Sequence, residues 1–422
     1  MDKSSRLSGF YQLDQQARLD RVQAFSDLDD ATIEAVKQSS SLPFELLDRL
    51  VENAIGGFTV PVGLATNMIV DGRDVIVPMA TEESSVIAAV GNTAKQCRDT
   101  GGFFTSISAT DMIAQVQLVQ VRDPWAAKLK VLEHRDEIKA ICDACDPVLV
   151  KLGGGLKDVE VRIIEGRTTD MVVVHLIVNT LDAMGANAVN TMAETIAPKL
   201  AAWVGGKHHL RILSNLADRR VARARAVWTA QAIGGADVVQ GIVWAADFAD
   251  HDPYRAATHN KGIMNGVSAV TLATGNDTRA IEAGAHAYAA RTGRYRSLSH
   301  YEITAEGDLA GSIELPMALG LVGGATKVHP TAQACLKILG VKTAAELSRI
   351  VAAVGLAQNF GALKALATVG IQQGHMALHA QNVAIAAGAV GQEIGVVADR
   401  MVTAKTVRQD VAEQILAQLR GS

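Results

Sequence analysis

The spacing of apolar positions changes several times along the chain, and each change marks an element. Leu46, Leu47, Leu50 and Val51 recur at helical spacing within residues 43–55, and Gly56-Gly57 supplies a stop. Two apolar runs, 60–69 and 75–79, flank Asp71-Gly72 and predict a β-hairpin. After Ala80-Thr81-Glu82-Glu83-Ser84-Ser85 a helix is expected from Val86 to about Arg98, and Gly101-Gly102 then breaks the chain. The next segment predicts a strand (113–121), a charged helix (124–144), a Gly153-Gly154-Gly155 loop, two strands (159–165 and 171–178), a helix (182–200) and a strand (209–213). Strand, helix, two strands, helix, strand is an α+β module of the ferredoxin-like kind. It reads as an insert from Ala109 to Ala217.

Residues 221–252 read as helical. The stretch from Pro253 to Asp277 then places Lys261 in a loop-like setting between Asn260 and Gly262, followed by a short strand (267–272) and the turn Gly275-Asn276-Asp277. A helix (277–291), a hairpin (297–303 with 309–315), a Gly-rich loop (320–325) and helices over 331–340, 343–354 and 358–368 follow. Residues 369–422 are helical with interruptions at Gly388, Gly391 and Gly395, and residues 9–40 are polar and helix-like. The fold class expected is α+β. A large mixed helix/sheet domain (1–108 and 218–368) carries a small inserted domain (109–217) and a helical C-terminal segment (369–422).

With 49% hydrophobic residues, 20% charged residues and a net charge of −4, the chain is an ordinary globular protein. It offers no basic surface for nucleic acid or an anionic membrane. Residues 1–20 lack an apolar signal core, and apolar runs such as 171–178 are short of a membrane span. The expectation is a soluble, cytoplasmic protein. Cys142 and Cys145 form a CxxC without a second pair, so they read as part of a helix end rather than as a zinc site.

Four ionisable residues stand in turn-flanked settings: Glu83, Lys261, Asp277 and His375. Each has an ordinary alternative: a helix-start carboxylate, a solvated loop lysine, an N-cap. A strand between Lys261 and Asp277 could bring that pair to one site. His375 and His379 have the i, i+4 spacing of metal ligands, but no third ligand is evident and no metal is expected. There is no P-loop and no GxGxxG. The turn Leu181-Asp182-Ala183-Met184-Gly185-Ala186-Asn187, between a strand and a helix, suits a pyrophosphate at a helix N-terminus.

These stretches resemble class II 3-hydroxy-3-methylglutaryl-coenzyme A (HMG-CoA) reductases, the bacterial soluble form. The likeness rests on eight segments in family order: 52–56, 61–65, 81–85, 182–187, 259–266, 275–277, 320–326 and 374–376. It implies interconversion of HMG-CoA with mevalonate and coenzyme A by two hydride transfers, through bound mevaldyl-CoA and mevaldehyde. Lys261 would be the oxyanion donor, Glu83 the proton donor and Asp277 the tuner of Lys261, while His375 would protonate the coenzyme A thiolate. Arg255 and Asn265 would contact the hydroxymethylglutaryl group, with Ser85, Gln358 and His379 as further substrate contacts. The insert would bind the dinucleotide without a Rossmann fingerprint, through Asp182, Met184, Gly185 and Asn187. Asp146 would favour NAD(H) over NADP(H) by repelling a 2′-phosphate. Residues 369–422 would be a mobile flap, and the protein a homodimer or an assembly of dimers with sites at the subunit interface. A thiolase-like enzyme would instead need a nucleophilic cysteine in a loop, and Cys97 and Cys335 both read as helical.

Overall fold

The structure is a computed structural model that describes residues 10–26, 28–38, 40, 42–368 and 370–421. The side chains of Tyr11, Phe25, Ala325 and residues 371–378 lie outside the description. Two compact units, Met1–Pro61 and Val62–Ser422, make up the chain.

The first unit holds α1 (Gln15–Ser26), α2 (Asp30–Lys37) and α3 (Phe44–Leu50). The last is shorter than the expected 43–55 helix. Arg18, 1% exposed, organises it by pairing with Asp48 and donating to Ala54 O at 2.8 Å.

The second unit starts with the expected hairpin, β1 (Val62–Val70) and β2 (Arg73–Ala80), turning at Asp71 and Gly72, both at positive φ. Then come α4 (Val86–Gln96), β3 (Phe104–Ile107) and β4 (Asp111–Val119). The charged helix is two helices, α5 (Pro124–Glu133) and α6 (Arg135–Ala144), broken at His134, and α7 (Pro147–Lys151) follows. Next are β5 (Gly155–Ile164), β6 (Met171–Asn179), α8 (Ala186–Val204) and β7 (Lys207–Ser214). The antiparallel sheet ordered β5-β6-β4-β7 joins these strands in the ferredoxin-like pattern. Val172, Val174, Leu176 and Val178 give its central strand a fully buried face.

Several expectations about the rest are overturned. Residues 221–228 are not helical but a strand, β8 (Val221–Trp228), in which buried Ala222, Ala224 and Ala226 alternate with exposed Arg223 and Arg225. That period of two is a strand signal that alanine's helix propensity concealed. α9 (Ala230–Ile233) and α10 (Ala236–His251) lead to the largest correction. The supposed Lys261 loop and the 267–272 strand are one 21-residue helix, α11 (Pro253–Ala273). Its N-cap Asp252 accepts from Arg255 N–H, and Pro253 occupies the first turn. α12 (Thr278–Ala289) and the hairpin β9 (Ser299–Ile303) with β10 (Leu309–Pro316) come next, and β3-β8-β10-β9 form a second antiparallel sheet. After α13 (Gly324–Val328) and α14 (Pro330–Leu339), the two helices expected over 343–368 are a single one, α15 (Ala344–Ala367). α16 (Ile371–Ala386), α17 (Gln392–Thr403) and α18 (Gln409–Arg420) end the chain around a small core of their own, including Ala380, Val397, Met401 and Leu416.

α15 is buried nearly all round, the mark of a central core helix. Trp228 stacks on its Phe360 with ring centroids 4.2 Å apart. Close crossing explains why a segment rich in Gly and Asn is helical. A Cβ on Gly266 would lie 2.9 Å from Gln358 Cβ, and one on Gly355 would lie 2.9 Å from Val267 Cγ2. The two glycines let α11 and α15 approach at van der Waals contact, and that packing overrides local propensity.

Candidate active site

Along α11, Arg255, Lys261, Gly262 and Asn265 line a cavity of about 640 Å³. Gln358 of α15 and the entry to α4, with Glu83 and Ser85, close it. Lys261 Nζ donates to Glu83 Oε2 at 2.8 Å, and Asn265, one helical turn on, donates to Glu83 Oε1 at 3.3 Å. Both oxygens of one carboxylate are thus oriented by donors from a single helix. Ser85 precedes α4 at φ 76°, a strained conformation for a residue with a side chain. Its Oγ and Gln358 Oε1 are buried without a hydrogen-bond partner among the described residues. Arg255 is half-buried, has no ion pair among the described residues, and has its pKa drawn down by burial. An unneutralised guanidinium and two unpartnered polar atoms fit an anionic, oxygen-rich ligand.

His259 stands behind this wall. Its Nε2 meets Ser299 Oγ at 2.7 Å, Ser297 Oγ at 2.9 Å and Asn359 Nδ2 at 3.1 Å. All of its described hydrogen-bond partners are uncharged, and no ion pair reaches the ring among the described residues, so the surroundings suit a neutral imidazole. Burial and then Arg255 push the pKa of His259 down to about 3, with Asp250 opposing. Asn260 accepts from Leu298 N–H and donates to Arg296 O. The two residues before Lys261 therefore anchor α11 rather than react.

Asp277 is not in this cavity. It caps α12, accepting from Arg279 and Ala280 N–H. Twelve steps of helix, about 18 Å of rise, lead from Lys261 to Ala273 before the turn that holds Asp277, and the two charges have different partners in the chain: Lys261 pairs with Glu83 and Asp277 with Arg279. The ordinary N-cap role is the one the geometry displays. His375 lies in α16, but its side chain is outside the described residues. His379 is exposed on the same helix.

The residues expected at the dinucleotide lie in the ferredoxin-like part. Gly185, at φ 94°, starts α8, whose N-terminus has no side-chain cap. Its free N–H groups, with Asn187 exposed beside them, fit a pyrophosphate. Asp182 Oδ1 accepts from Ala344 N–H at 2.7 Å, which fastens this turn to the start of α15. Met184 N lies 2.6 Å from where a Cβ on Gly320 would be. Asp146 caps α7 through Oδ1, and its Oδ2 makes no hydrogen bond among the described residues.

Two residues escaped the sequence reading. Lys364 lines the far end of the cavity, donates to Gln96 Oε1 at 2.7 Å, and has its pKa lowered by burial. A lone charge in the apolar run Gly361-Ala-Leu-Lys364-Ala-Leu was the available signal. Arg220 looks like solvated charge beside Asp218 and Arg219, yet is fully buried. No described residues cluster as a metal site. Burial pushes the Cys97 and Cys142 thiols up to about 12, which leaves neither activated.

The family profile for hydroxymethylglutaryl-coenzyme A reductase matches residues 15–380. The 3-hydroxy-3-methylglutaryl-coenzyme A reductase of Archaeoglobus fulgidus is 54% identical, over 99% of this chain and 95% of that one. A reductase structure from Streptococcus pneumoniae superposes with a TM-score of 0.77 at 38% identity, covering 98% of this chain and 99% of the other. The class II enzyme of that species, bound to NADPH in open conformations, also gives a TM-score of 0.77, at 39% identity over 97% of this chain and all of that one. A fold shared across its whole length, together with the profile match and the archaeal identity, makes this chain a member of the class II HMG-CoA reductase family.

Proposed function

We propose that the protein interconverts HMG-CoA with mevalonate and coenzyme A, preferring NAD(H) to NADP(H), in two steps through bound mevaldyl-CoA and mevaldehyde. The observation that carries this is the Lys261–Glu83 pair, 2.8 Å apart, in a cavity shared with the unneutralised Arg255. When bound, the dinucleotide supplies hydride to the thioester carbonyl carbon and then to the aldehyde carbon. Lys261 donates to the oxygen that becomes negative in each step. Glu83, oriented by Lys261 and Asn265, relays the proton that oxygen takes up. Arg255 binds the free carboxylate of the substrate, and Asn265, Ser85 Oγ and Gln358 Oε1 take its remaining oxygens and hydroxyl. His375 protonates the departing thiolate. A protonated imidazole is ordinarily a stronger acid than a thiol, which suits it to that transfer. His379 contacts substrate from the same helix, and residues 369–422 act as the flap that carries both.

Asp277 tunes Lys261 across a subunit boundary. The helix between them supports this: about 18 Å of α11 lies between Lys261 and Ala273, and within one chain Lys261 pairs with Glu83 while Asp277 pairs with Arg279. We infer a homodimer, or an assembly of dimers, in which Asp277 of the partner subunit meets Lys261.

Residues 109–217 form the dinucleotide module within a large domain of 1–108 and 218–368. Asp182, Met184, Gly185 and Asn187 hold the diphosphate end at α8, and Asp146 selects NAD(H) through its unoccupied Oδ2. The pneumococcal relative holds NADPH, so the preference for NAD(H) is a statement about Asp146 in this chain. We propose a cytoplasmic location; α15, the one described helix long and apolar enough to cross a membrane, has 67% of its apolar window buried and reads as a core helix.

Absorbance of the reduced nicotinamide, followed with mevalonate, coenzyme A and either dinucleotide, tests the activity directly. No change with NAD or NADP would sink it. Lys261→Met should lower kcat/KM at least a hundredfold with the fold intact. Asp146→Ala should raise NADP use, and an unchanged cofactor ratio would remove the role given to Asp146.

A further inference from the structure

Arg220 precedes β8 and is fully buried. Its Nη1 donates to Thr180 Oγ1 at 3.2 Å and to Ala183 O at 3.0 Å, and its Nη2 donates to Leu319 O. No carboxylate among the described residues pairs with it. Asp182 and Asp111 act on it only through space, and burial still draws its guanidinium down to about 10. Its Nε and Asp111 Oδ1 are both buried without a hydrogen-bond partner among the described residues. A buried cation without an ion pair is costly, and an apolar side chain of similar size would pack there more cheaply. What the arginine adds is geometry.

Its three acceptors sit on two segments that meet at close range. The turn 180–185 and the segment 319–322 also touch through Leu321 N–H to Asp182 O at 2.9 Å and an isolated bridge between Ala183 and Val322. Gly320 N–H donates to Asn276 Oδ1 at 2.8 Å, beside Asp277. Asp182 Oδ1 ties the same turn to Ala344 at the start of α15. One buried guanidinium thus joins the turn before α8, the exit of β10 and, through Gly320, the turn that bears Asp277.

We propose that Arg220 is a positioning residue for the nicotinamide dinucleotide, fixing the Thr180–Gly185 turn and the uncapped start of α8 relative to the core that carries Lys261. This rests on the assignment of that turn to the dinucleotide made above. Arg220 need not touch the dinucleotide; it sets where the N–H groups of α8 point.

The test uses the full-length protein with Arg220→Met, Arg220→Lys and, as a milder change, Thr180→Val. Nicotinamide fluorescence without thioester measures NADH affinity, steady-state kinetics give both KM values, and hydrogen exchange follows the Leu321 amide in the dinucleotide-free protein. For Arg220→Met we expect NADH affinity and its KM to worsen on the order of tenfold, the KM for HMG-CoA to move less than twofold, and Leu321 to exchange faster. Arg220→Lys should restore part of the loss. Thr180→Val should shift NADH affinity in the same direction by several-fold, which keeps the test usable if Arg220→Met does not fold. Faster exchange at Leu321 with unchanged NADH affinity would overturn the positioning role. Unchanged affinity in Asn187→Ala would instead overturn the assignment of the turn to the dinucleotide.

Discussion

Two glycines four residues apart on α11 should respond to alanine with opposite signs. An added Cβ on Gly262 meets nothing within 4 Å, whereas one on Gly266 would lie 2.9 Å from Gln358 Cβ and 3.1 Å from Val354 Cγ1. Both positions are interior to a helix, so both substitutions gain about 1 kcal/mol of helix propensity. Gly262→Ala keeps that gain. Gly266→Ala also inserts a methyl between two packed helices, and overpacking of this kind costs about 1–3 kcal/mol. The net expectation is a stabilisation of about 1 kcal/mol for Gly262→Ala and a destabilisation of up to about 2 kcal/mol for Gly266→Ala. For a chain of 422 residues, the unfolding entropy makes about 1 kcal/mol equivalent to about 1 °C in Tm. Scanning calorimetry at matched scan rates resolves that difference. Activity adds a second axis. Gly262 lines the cavity, so its alanine variant should be more stable yet show a raised KM for HMG-CoA. Equal stabilisation by the two substitutions would refute the close crossing of α11 and α15.

Acid should expose His259. Its folded pKa, near 3, lies below the ordinary 6.5, so the unfolded chain takes up the proton first and stability falls as pH drops below about 6.5. The slope is about 1.4 kcal/mol per pH unit from this group, with His175, also shifted down by burial, adding in the same direction. Between pH 6.5 and 5, His259→Gln should flatten the dependence of denaturation midpoint on pH, and an unchanged slope would count against the neutral buried ring. Removing residues 370–422 should abolish turnover while NADH binding, read by fluorescence, persists. That segment has a core of its own, and loss of NADH binding on truncation would show that it belongs to the main core.

Much of this was legible in the sequence because the relevant signals are local. The β-branched runs of β5 and β6 and the Asp71-Gly72 turn specify their elements directly. Glu83, Ser85, Arg255, Lys261, Asn265 and Gln358, drawn from distant segments, line one cavity. What escaped depends on partners the sequence does not display. Asn260, Gly262, Asn265 and Gly266 look like a loop until α15 is packed against them. Ala222, Ala224 and Ala226 look helical until their alternation is set beside β10. Arg220 is indistinguishable from surface charge until the segments that bury it are in place. The supposed strand between Lys261 and Asp277 made the pair look like neighbours, whereas a helix of that length separates them.

The join between α15 and α16 has a mechanical consequence. Thr368 lines the cavity rim, and Gly370 at φ 79° precedes α16. A swing between α15 and α16 would make α16 a lever arm: its 16 residues span about 24 Å, so a rotation of about 20° would sweep its far end through about 8 Å. His375, in the second turn from the pivot, travels only about 2–3 Å in the same stroke. The long end of such a lever would sweep several times the space swept by the turns beside the fulcrum, so a small change of angle at the join would be read out mainly at the far end of α16.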